Sequence, residues 1–232
     1  MAPSDTGVAS ILHEQGADAW DAAVRHPMVR GIADGSLPRE TFRRYFTQNV
    51  LYLEEYARAI GIILGKAPDR DAVTILTRFL VRIVDEEIPS NLSFLDRLGG
   101  DPDTVAGRGA MHQVTYGYTR HLLSVCALGD CADGLTAVLP CQWSYGELAR
   151  SATAHRPDDP IYADWIELFG NDEYDGLVAD TTALLDRLVD SSDERRMAVL
   201  SRIFDRSTRY EAEFWDMAYG VSSSDATHRG GT

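Results

Sequence analysis

The feature that most constrains the fold is the spacing of apolar residues, which recur every three or four positions along most of the chain. The clearest example is the run Phe42, Tyr45, Phe46, Tyr52, Leu53 and Tyr56. This spacing places side chains on one face of a helix, and no segment shows the strict alternation of a β-strand. The sequence therefore predicts an all-α domain of about seven or eight helices over residues 1–220.

Glycine, proline and capping residues indicate where these helices begin and end. We expect helices from about Val8 to Arg25, Ser36 to Leu64, Asp71 to Glu87, Gly109 to Leu128, Ala132 to Ala154, Ile161 to Phe169, Glu173 to Val189 and Ser192 to Tyr219. Ser36 is the expected cap of the second helix, and Pro89 is expected to bend or end the third. Residues 221–232, rich in serine and glycine, are predicted to be disordered.

Charge and segment lengths narrow the classes of partner. Of the 232 residues, 44% are hydrophobic, which is enough for one substantial core, and the net charge is −14. A strongly acidic chain is a poor ligand for nucleic acid or an anionic membrane. The N-terminus lacks a signal peptide, and the longest apolar run, Ala59 to Leu64, is too short to span a bilayer. We expect a cytoplasmic protein that binds neither membrane nor nucleic acid.

The cysteines do not suggest a disulfide framework or a zinc site. There are three of them, no C-x-x-C pair occurs, and a cytoplasmic location keeps thiols reduced. Cys141 is unusual because it follows Pro140 inside a predicted helix, where a proline removes a hydrogen bond at a cost of about 3 kcal/mol. We expect a kink that directs the thiol into a pocket, with Tyr145 on the same face. Inert filling of the core remains the alternative.

Two other polar residues stand on apolar helix faces. Asn49 lies among Phe46, Val50 and Leu53, so its amide needs hydrogen-bond partners unless it faces solvent or caps a backbone group. Glu211 lies on the stripe that contains Phe214. A buried carboxylate has a raised pKa, which suits proton transfer near neutrality, although a buried ion pair with an arginine is the alternative.

A metal site and an acidic binding face are not expected. The six histidines are scattered, and the Glu-x-x-His motif of di-iron helical bundles is absent from the sequence. The acidic run Asp85-Glu86-Glu87 is interpreted as a solvated helix face. We therefore expect no metal and no cofactor.

Several motifs, in the same order along the chain, resemble those of the TenA family, whose members are known as thiaminase II or aminopyrimidine aminohydrolases. The resemblance covers nearly all of the chain from Trp20 to Tyr219. Its motifs are His26-Pro27, Gly31-Ile32-Ala33-Asp34-Gly35-Ser36-Leu37-Pro38, Tyr45-Phe46-x-Gln48-Asn49-x-x-Tyr52, Leu139-Pro140-Cys141, Pro160-Ile161-Tyr162-x-x-Trp165 and Tyr210-Glu211-x-x-Phe214-Trp215-x-Met217-Ala218-Tyr219.

The resemblance implies a heme-oxygenase-like helical fold that binds no heme, assembled as a homo-oligomer, usually a tetramer. It implies hydrolysis of an aminomethyl-aminopyrimidine, or of thiamin itself, to hydroxymethylpyrimidine for thiamin salvage. The family's nucleophile falls on Cys141 and its acid/base on Glu211. Its pocket aromatic residues fall on Tyr52, Tyr118, Tyr145 and Phe214.

Three positions depart from the family pattern. Asn49 replaces a pocket aspartate, Phe169 replaces a tyrosine, and Gln142 replaces the aromatic residue that usually follows the cysteine. The Asn49 carbonyl can accept from an exocyclic amine while its NH2 donates to a ring nitrogen, as asparagine does on adenine. An amide cannot carry charge, so it cannot favour a protonated ring.

These departures leave alternatives to the salvage reaction. The second hypothesis is a hydrolase acting on a different amine-bearing heterocycle. The third is a small-molecule-binding or regulatory protein without catalysis. An oxygenase on the same scaffold is a fourth possibility, which the missing Glu-x-x-His motif disfavours. For the hydrolase we expect covalent catalysis, with Cys141 adding to the pyrimidine ring and Glu211 protonating the departing amine.

Overall fold

The computed structural model describes residues 7–105, 111–153 and 156–220, and it is helical throughout, with no strand in these ranges. The all-α prediction is confirmed. The helices are α1 Val8–Gln15, α2 Ala17–Val24, α3 Pro27–Ala33, α4 Arg39–Leu64, α5 Arg70–Arg82, α6 Ile88–Arg97, α7 Pro102–Val105, α8 Gln113–Leu128, α9 Cys131–Ala152, α10 Pro160–Phe169, α11 Asp172–Leu188 and α12 Glu194–Tyr219. The predicted disordered tail, 221–232, lies outside the described residues.

Two of the expected helix boundaries at the N-terminal end are wrong. The segment expected as one helix from Val8 to Arg25 is divided at Gly16, whose backbone leaves the helical region (φ −94°, ψ 11°). Ser36 is not the cap of α4, because its N–H is bound by the Asp34 side chain at 2.9 Å. A residue that precedes proline avoids the helical conformation. This rule keeps Leu37 out of the helix, and Pro38, itself extended (φ −60°, ψ 131°), is the N-cap of α4.

The helix expected from Asp71 to Glu87 ends earlier and passes into a π-helical turn, Ile83–Glu87, which leads directly into α6. Pro89, in the first turn of α6, has no N–H to donate to a preceding carbonyl. The backbone takes a wider turn here, in which the Ile88 N–H donates to the Ile83 carbonyl. Single π turns of this kind occur often at functional sites.

The interpretation of Asp85-Glu86-Glu87 as a solvated face is wrong at Glu87. Asp85 and Glu86 are exposed, whereas Glu87 is buried with 6% of its surface accessible. Glu87 follows Ile83 by four residues, and both side chains point into the protein. The π turn thus carries one carboxylate of the acidic run into the core.

Helix α4 lies at the centre of the molecule and packs against α5, α6, α8, α9 and α12. The buried apolar side chains form one continuous cluster that includes a large number of aromatic rings. Helix α9 is buried over most of its length and crosses this cluster next to α12. No helix among the described residues has a stretch long and apolar enough to cross a membrane.

Candidate active site

The site is built around Cys141, on α9, and Glu211, on α12. Helix α9 continues through Pro140, and both Pro140 and Cys141 are buried. Glu211 lies on the inward face of α12 with 3% of its surface accessible, while Glu213 is exposed, as the apolar stripe predicted. The Cys141 thiol and the Glu211 carboxylate are close enough that each shifts the pKa of the other. The fold therefore brings together two groups that are 70 residues apart in the sequence.

Tyrosine and phenylalanine side chains enclose this pair. The Tyr118 hydroxyl, from α8, donates to Glu211 Oε1 at 2.5 Å. The Tyr52 ring lies 5.0 Å from the Tyr118 ring and 5.7 Å from the Phe214 ring, measured between centroids. All of these side chains are buried, so the carboxylate is screened from water.

Tyr145 completes the enclosure on the other side of the thiol. Its hydroxyl shares a hydrogen bond of 3.0 Å with the Tyr45 hydroxyl. Its ring meets the edge of the Phe169 ring at 5.1 Å. Tyr45, which the sequence suggested to be a core residue, thus holds a pocket tyrosine in place.

Burial sets the protonation states of Glu211 and Cys141. It raises the pKa of Glu211 to about 7, against the opposing hydrogen bonds from Tyr118 and Cys141. Burial, and then the negative charge of Glu211, raise the pKa of the Cys141 thiol well above its ordinary value, while the nearby Tyr52 hydroxyl opposes them. The resting sulfur is therefore a neutral thiol, and the carboxyl group beside it changes between its neutral and ionised forms near pH 7.

Asn49 is buried, and its amide is held by a second asparagine. Asn49 Nδ2 donates to Asn91 Oδ1 at 2.9 Å, and Asn91 Nδ2 donates to the Glu87 backbone carbonyl at 2.7 Å. One of the two Asn49 N–H bonds is thereby used within the protein. The expected pairing of the Asn49 NH2 group with a ring nitrogen is thus limited to the second N–H bond.

Sequence reasoning missed Glu87 as a site residue. Burial raises the pKa of its carboxyl to about 7, against the opposing charge of Arg82, whose Nε lies 3.6 Å from Glu87 Oε1. The Arg82 guanidinium also binds Glu86 at 2.7 Å and the Leu168 carbonyl at 2.6 Å. The available signal was periodicity, since Glu87 continues the buried stripe of α5 four residues after Ile83.

Gln142 is also buried in the site. Its Oε1 accepts from the Thr181 hydroxyl at 2.7 Å. Its Nε2 has no hydrogen-bond partner among the described residues. Its backbone carbonyl accepts from the Tyr174 hydroxyl at 3.0 Å, which fixes this part of α9 against α11.

A small cavity of about 10 Å³ lies beside the thiol. It is lined by Asn49, Leu53, Tyr56, Phe79, Glu87, Cys141, Gln142, Tyr145, Phe169 and Tyr174. This volume accommodates about one water molecule. A heterocyclic ring can therefore enter only when the lining side chains move apart.

The structure thus groups the predicted site residues on two sides of the sulfur. Asn49, Tyr145 and Phe169 line the cavity, and Tyr52, Tyr118, Glu211 and Phe214 surround the carboxylate. Among the described residues, no group of three or more His, Cys, Asp or Glu side chains could hold a metal ion. The chemistry available here is that of a thiol, a carboxylic acid with a pKa near neutrality, and amide and hydroxyl donors.

These features define an all-helical protein with a buried cysteine–glutamate pair in an aromatic enclosure. Over residues 13–221 the sequence matches the model of the TENA/THI-4/PQQC family, and the chain belongs to this family. The fold is shared with solved structures of the same family. A TenA family transcription regulator from Silicibacter sp. TM1040 superimposes with a TM-score of 0.85 at 26% identity, covering 91% of this chain and 96% of that one.

One further comparison supports the family and another supports the fold. The aminopyrimidine aminohydrolase of Halalkalibacterium halodurans is 32% identical over 213 residues, covering 91% of this chain and 95% of that one. A heme-oxygenase-like protein from Shewanella denitrificans superimposes with a TM-score of 0.71 at 13% identity, covering 97% of this chain and 96% of that one. The predicted heme-oxygenase-like fold is confirmed.

Proposed function

We propose that the protein is a thiaminase II-like hydrolase that releases hydroxymethylpyrimidine from an aminomethyl-aminopyrimidine or from thiamin. The observation that carries this proposal is the buried Glu211 carboxylate, bound by the Tyr118 hydroxyl and close enough to the Cys141 thiol to raise its pKa, inside the aromatic enclosure. The names of the bacterial relatives, aminopyrimidine aminohydrolases at about 30% identity over most of their length, support the same reaction.

The reaction begins with addition of sulfur to the ring. Glu211 in its ionised form takes the thiol proton as Cys141 sulfur forms a bond to an electron-poor ring carbon. The electron pair released into the ring expels the amine from the exocyclic methylene. With the aminomethylpyrimidine, Glu211 returns the proton to the departing amine and the carboxylate is regenerated. With thiamin, the cationic thiazolium leaves as neutral thiazole without a proton, and Glu211 later loses the proton to solvent.

The second half uses water. A water molecule adds to the exocyclic methylene, which forms the new C–O bond, and the ring electrons expel the sulfur. The proton lost by water goes through Glu211 to Cys141, which leaves the enzyme in its starting state. The net change is exchange of an amine for a hydroxyl group, with no oxidation or reduction.

The aromatic side chains position the ring for these steps. Phe214 and Tyr52 present ring faces beside the pair, and stacking with an electron-poor heterocycle holds it at the sulfur. Tyr118 holds the Glu211 carboxylate, and Tyr145 closes the opposite side. Because the cavity is small, entry of the ligand requires separation of the rings that line it.

The test is turnover of thiamin and of the aminomethyl pyrimidine, followed by mass spectrometry of the hydroxymethylpyrimidine product. Wild-type protein is expected to form this product, and Cys141→Ala is expected to lose at least about a thousandfold in kcat/KM. Cys131→Ala is the matched control, because it removes a thiol from the other end of α9. A Cys141→Ala variant with full turnover would contradict the covalent mechanism.

A second candidate function is hydrolysis of a different amine-bearing heterocycle. The observation in its favour is Asn49, an amide whose orientation is set by Asn91. In Asn49→Asp, a carboxylate would face the Asn91 carbonyl oxygen. A large gain on the standard pyrimidine in this variant would indicate a salvage enzyme weakened by substitution, whereas loss of ligand binding would indicate a different ligand.

A further inference from the structure

We propose that Gln142 and Glu87 form a donor–acceptor pair that reads the amidine edge of the ligand, that is, a ring nitrogen beside an exocyclic amine. This inference rests on the proposed function and specifies its ligand class. Both side chains line the cavity beside Cys141, and they reach it from different elements, α9 and the π turn before α6.

The Gln142 amide is the donor. Only 1% of its surface is accessible, and Nε2 has no partner among the described residues. Burying an amide without a hydrogen bond costs about 1–3 kcal/mol, so the unpaired NH2 group of a residue that lines the cavity is a candidate donor to a bound acceptor. Thr181 anchors the other end of the amide at 2.7 Å, which holds the group in position.

The contact with Thr181 is compatible with either orientation of the Gln142 amide, and ligand preference distinguishes the two. The Thr181 hydroxyl lies 2.7 Å from Gln142 Oε1, 2.9 Å from the Leu177 carbonyl and 3.0 Å from the Val178 carbonyl, and it has one proton for these three acceptors. If the amide turned end for end, an oxygen would face the cavity, and the site would select a ring N–H instead of a ring nitrogen. The two orientations therefore predict opposite ligand preferences.

Glu87 is the acceptor. Its carboxyl group is buried in the same cavity, and its charge partner, Arg82 Nε, is 3.6 Å away, beyond the range of a direct hydrogen bond. Arg82 is also shared with Glu86 and the Leu168 carbonyl. Glu87 oxygens can thus accept from an exocyclic amine, and charge assistance makes such bonds stronger than those to neutral acceptors.

Several neighbouring side chains are partly engaged within the protein or are apolar. Asn49 uses one N–H bond on Asn91, and Phe169 has no polar group to offer. The Tyr174 hydroxyl is bound to the Gln142 carbonyl. The complementary ligand edge for a donor from Gln142 and an acceptor from Glu87 is an acceptor beside a donor, which is the arrangement in a 4-aminopyrimidine and the reverse of that in a pyrimidin-4-one.

The test compares dissociation constants for two probes, 4-amino-5-hydroxymethyl-2-methylpyrimidine and its 4-oxo counterpart. Neither probe has an amine on the exocyclic methylene, so binding is measured without turnover. Wild-type protein is expected to bind the amino probe at least about tenfold more tightly than the oxo probe. Gln142→Met and Glu87→Gln are each expected to lower this ratio by roughly tenfold or more.

Asp85→Asn is the matched control, because it removes a negative charge from the same π turn at an exposed position and is expected to leave the ratio unchanged. If Gln142→Met does not fold, Thr181→Val removes the anchor of the amide and is expected to lower the ratio as well. A ratio unchanged in these variants, or a wild-type preference for the oxo probe, would overturn the inference.

The outcome is separable from that of the proposed function. If the ratio of the two dissociation constants depends on Gln142 and Glu87, but no hydroxymethylpyrimidine is released from the standard substrates, the role of these two residues is supported and the hydrolase is rejected. Turnover that depends on Cys141, with a ratio insensitive to both substitutions, supports the hydrolase and rejects the pair.

Discussion

The Tyr118 hydroxyl donates a hydrogen bond of 2.5 Å to Glu211 Oε1, and this bond joins α8 to α12 at the centre of the site. The carboxylate is buried and lies close enough to the Cys141 thiol to raise the pKa of the thiol. Burial raises the pKa of Glu211 to about 7 and the Tyr118 bond opposes that increase. Tyr118 therefore controls the pH at which Glu211 can act as a base.

We expect Tyr118→Phe to move the rising limb of the pH profile toward higher pH. The proposed first step needs ionised Glu211, so kcat/KM rises as pH passes through the pKa of this group. Loss of the hydrogen bond raises that pKa further, and at pH 7 the activity is expected to fall about tenfold or more. The measurement is kcat/KM between pH 5 and 9.

Tyr116→Phe is the matched control, because Tyr116 is an exposed tyrosine on the same helix. Its pH profile should coincide with that of the wild type. A Tyr118→Phe profile that loses height without moving along the pH axis would contradict the role assigned to this bond.

Alkylation of the native protein is expected to be slow at Cys141. Burial and the Glu211 charge raise the pKa of the thiol, and only the thiolate reacts rapidly with iodoacetamide. Labelling at pH 8 should be at least about tenfold slower in native protein than in urea-unfolded protein, as measured by mass spectrometry of the peptide that contains Cys141. Rapid labelling of native Cys141 would indicate a preformed thiolate and a different order of proton transfer.

Glu87 is expected to destabilise the folded protein as pH rises. The pKa of this carboxyl is about 7 in the folded state against an ordinary value of 4.5, so between these values the folded state binds more protons than the unfolded state. The free energy of unfolding therefore decreases from about pH 4.5 to about pH 7, by up to about 3 kcal/mol for this group.

Glu87→Gln removes that titration. The stability of the variant relative to wild type should increase between pH 5 and pH 8, as measured by urea unfolding at several pH values. The difference between variants isolates this group, because other titrations cancel. Asp85→Asn should show a stability difference that does not change over this range, and a flat difference for Glu87→Gln would contradict the burial of its carboxyl.

Lys66 is expected to contribute to stability at the end of α8. Its ammonium group donates to the carbonyl oxygens of Cys126, Ala127 and Gly129, which lie at the C-terminus of this helix. Helix C-termini have unpaired carbonyl groups and favour a positive charge. We expect Lys66→Met to lower the free energy of unfolding by about 1–3 kcal/mol.

The comparison variant is Arg25→Met. Arg25 forms an exposed pair with Asp21 at 3.4 Å, and exposed pairs contribute little. Its free energy of unfolding should stay within about 0.5 kcal/mol of the wild type. Equal effects of the two substitutions would remove the reason to assign a capping role to Lys66.

The fold class was accessible from the sequence because helical periodicity depends on residues only a few positions apart. The same is true of Glu211, whose position on the Phe214 stripe predicted its burial, and of Glu213, which was correctly placed in solvent. The ends of the helices were harder to predict from the sequence. Gly16 divides a predicted helix, and the extended backbone at Leu37-Pro38 moved a cap that Ser36 was expected to provide.

Glu87 is a position at which the interpretation from the sequence was wrong. In a linear reading, three consecutive acidic residues look solvated, because charges are rarely buried without partners. The register of the π turn, the place where α5 packs and the approach of Arg82 together decide that the third one is buried. Arg82 and the stripe through Ile83 are close in sequence, whereas α4, against which the π turn also packs, comes from a different part of the chain.

The sequence by itself determined the helices, the buried faces of α9 and α12, and the residue types available for chemistry. Only the tertiary structure decided which of these groups meet, since Cys141, Glu211, Tyr118 and Asn49 lie on four different helices. It also decided that Gln142 and Glu87 share a cavity. The physical reason is that periodicity specifies which side of a helix is buried, whereas the packing of helices specifies what it is buried against.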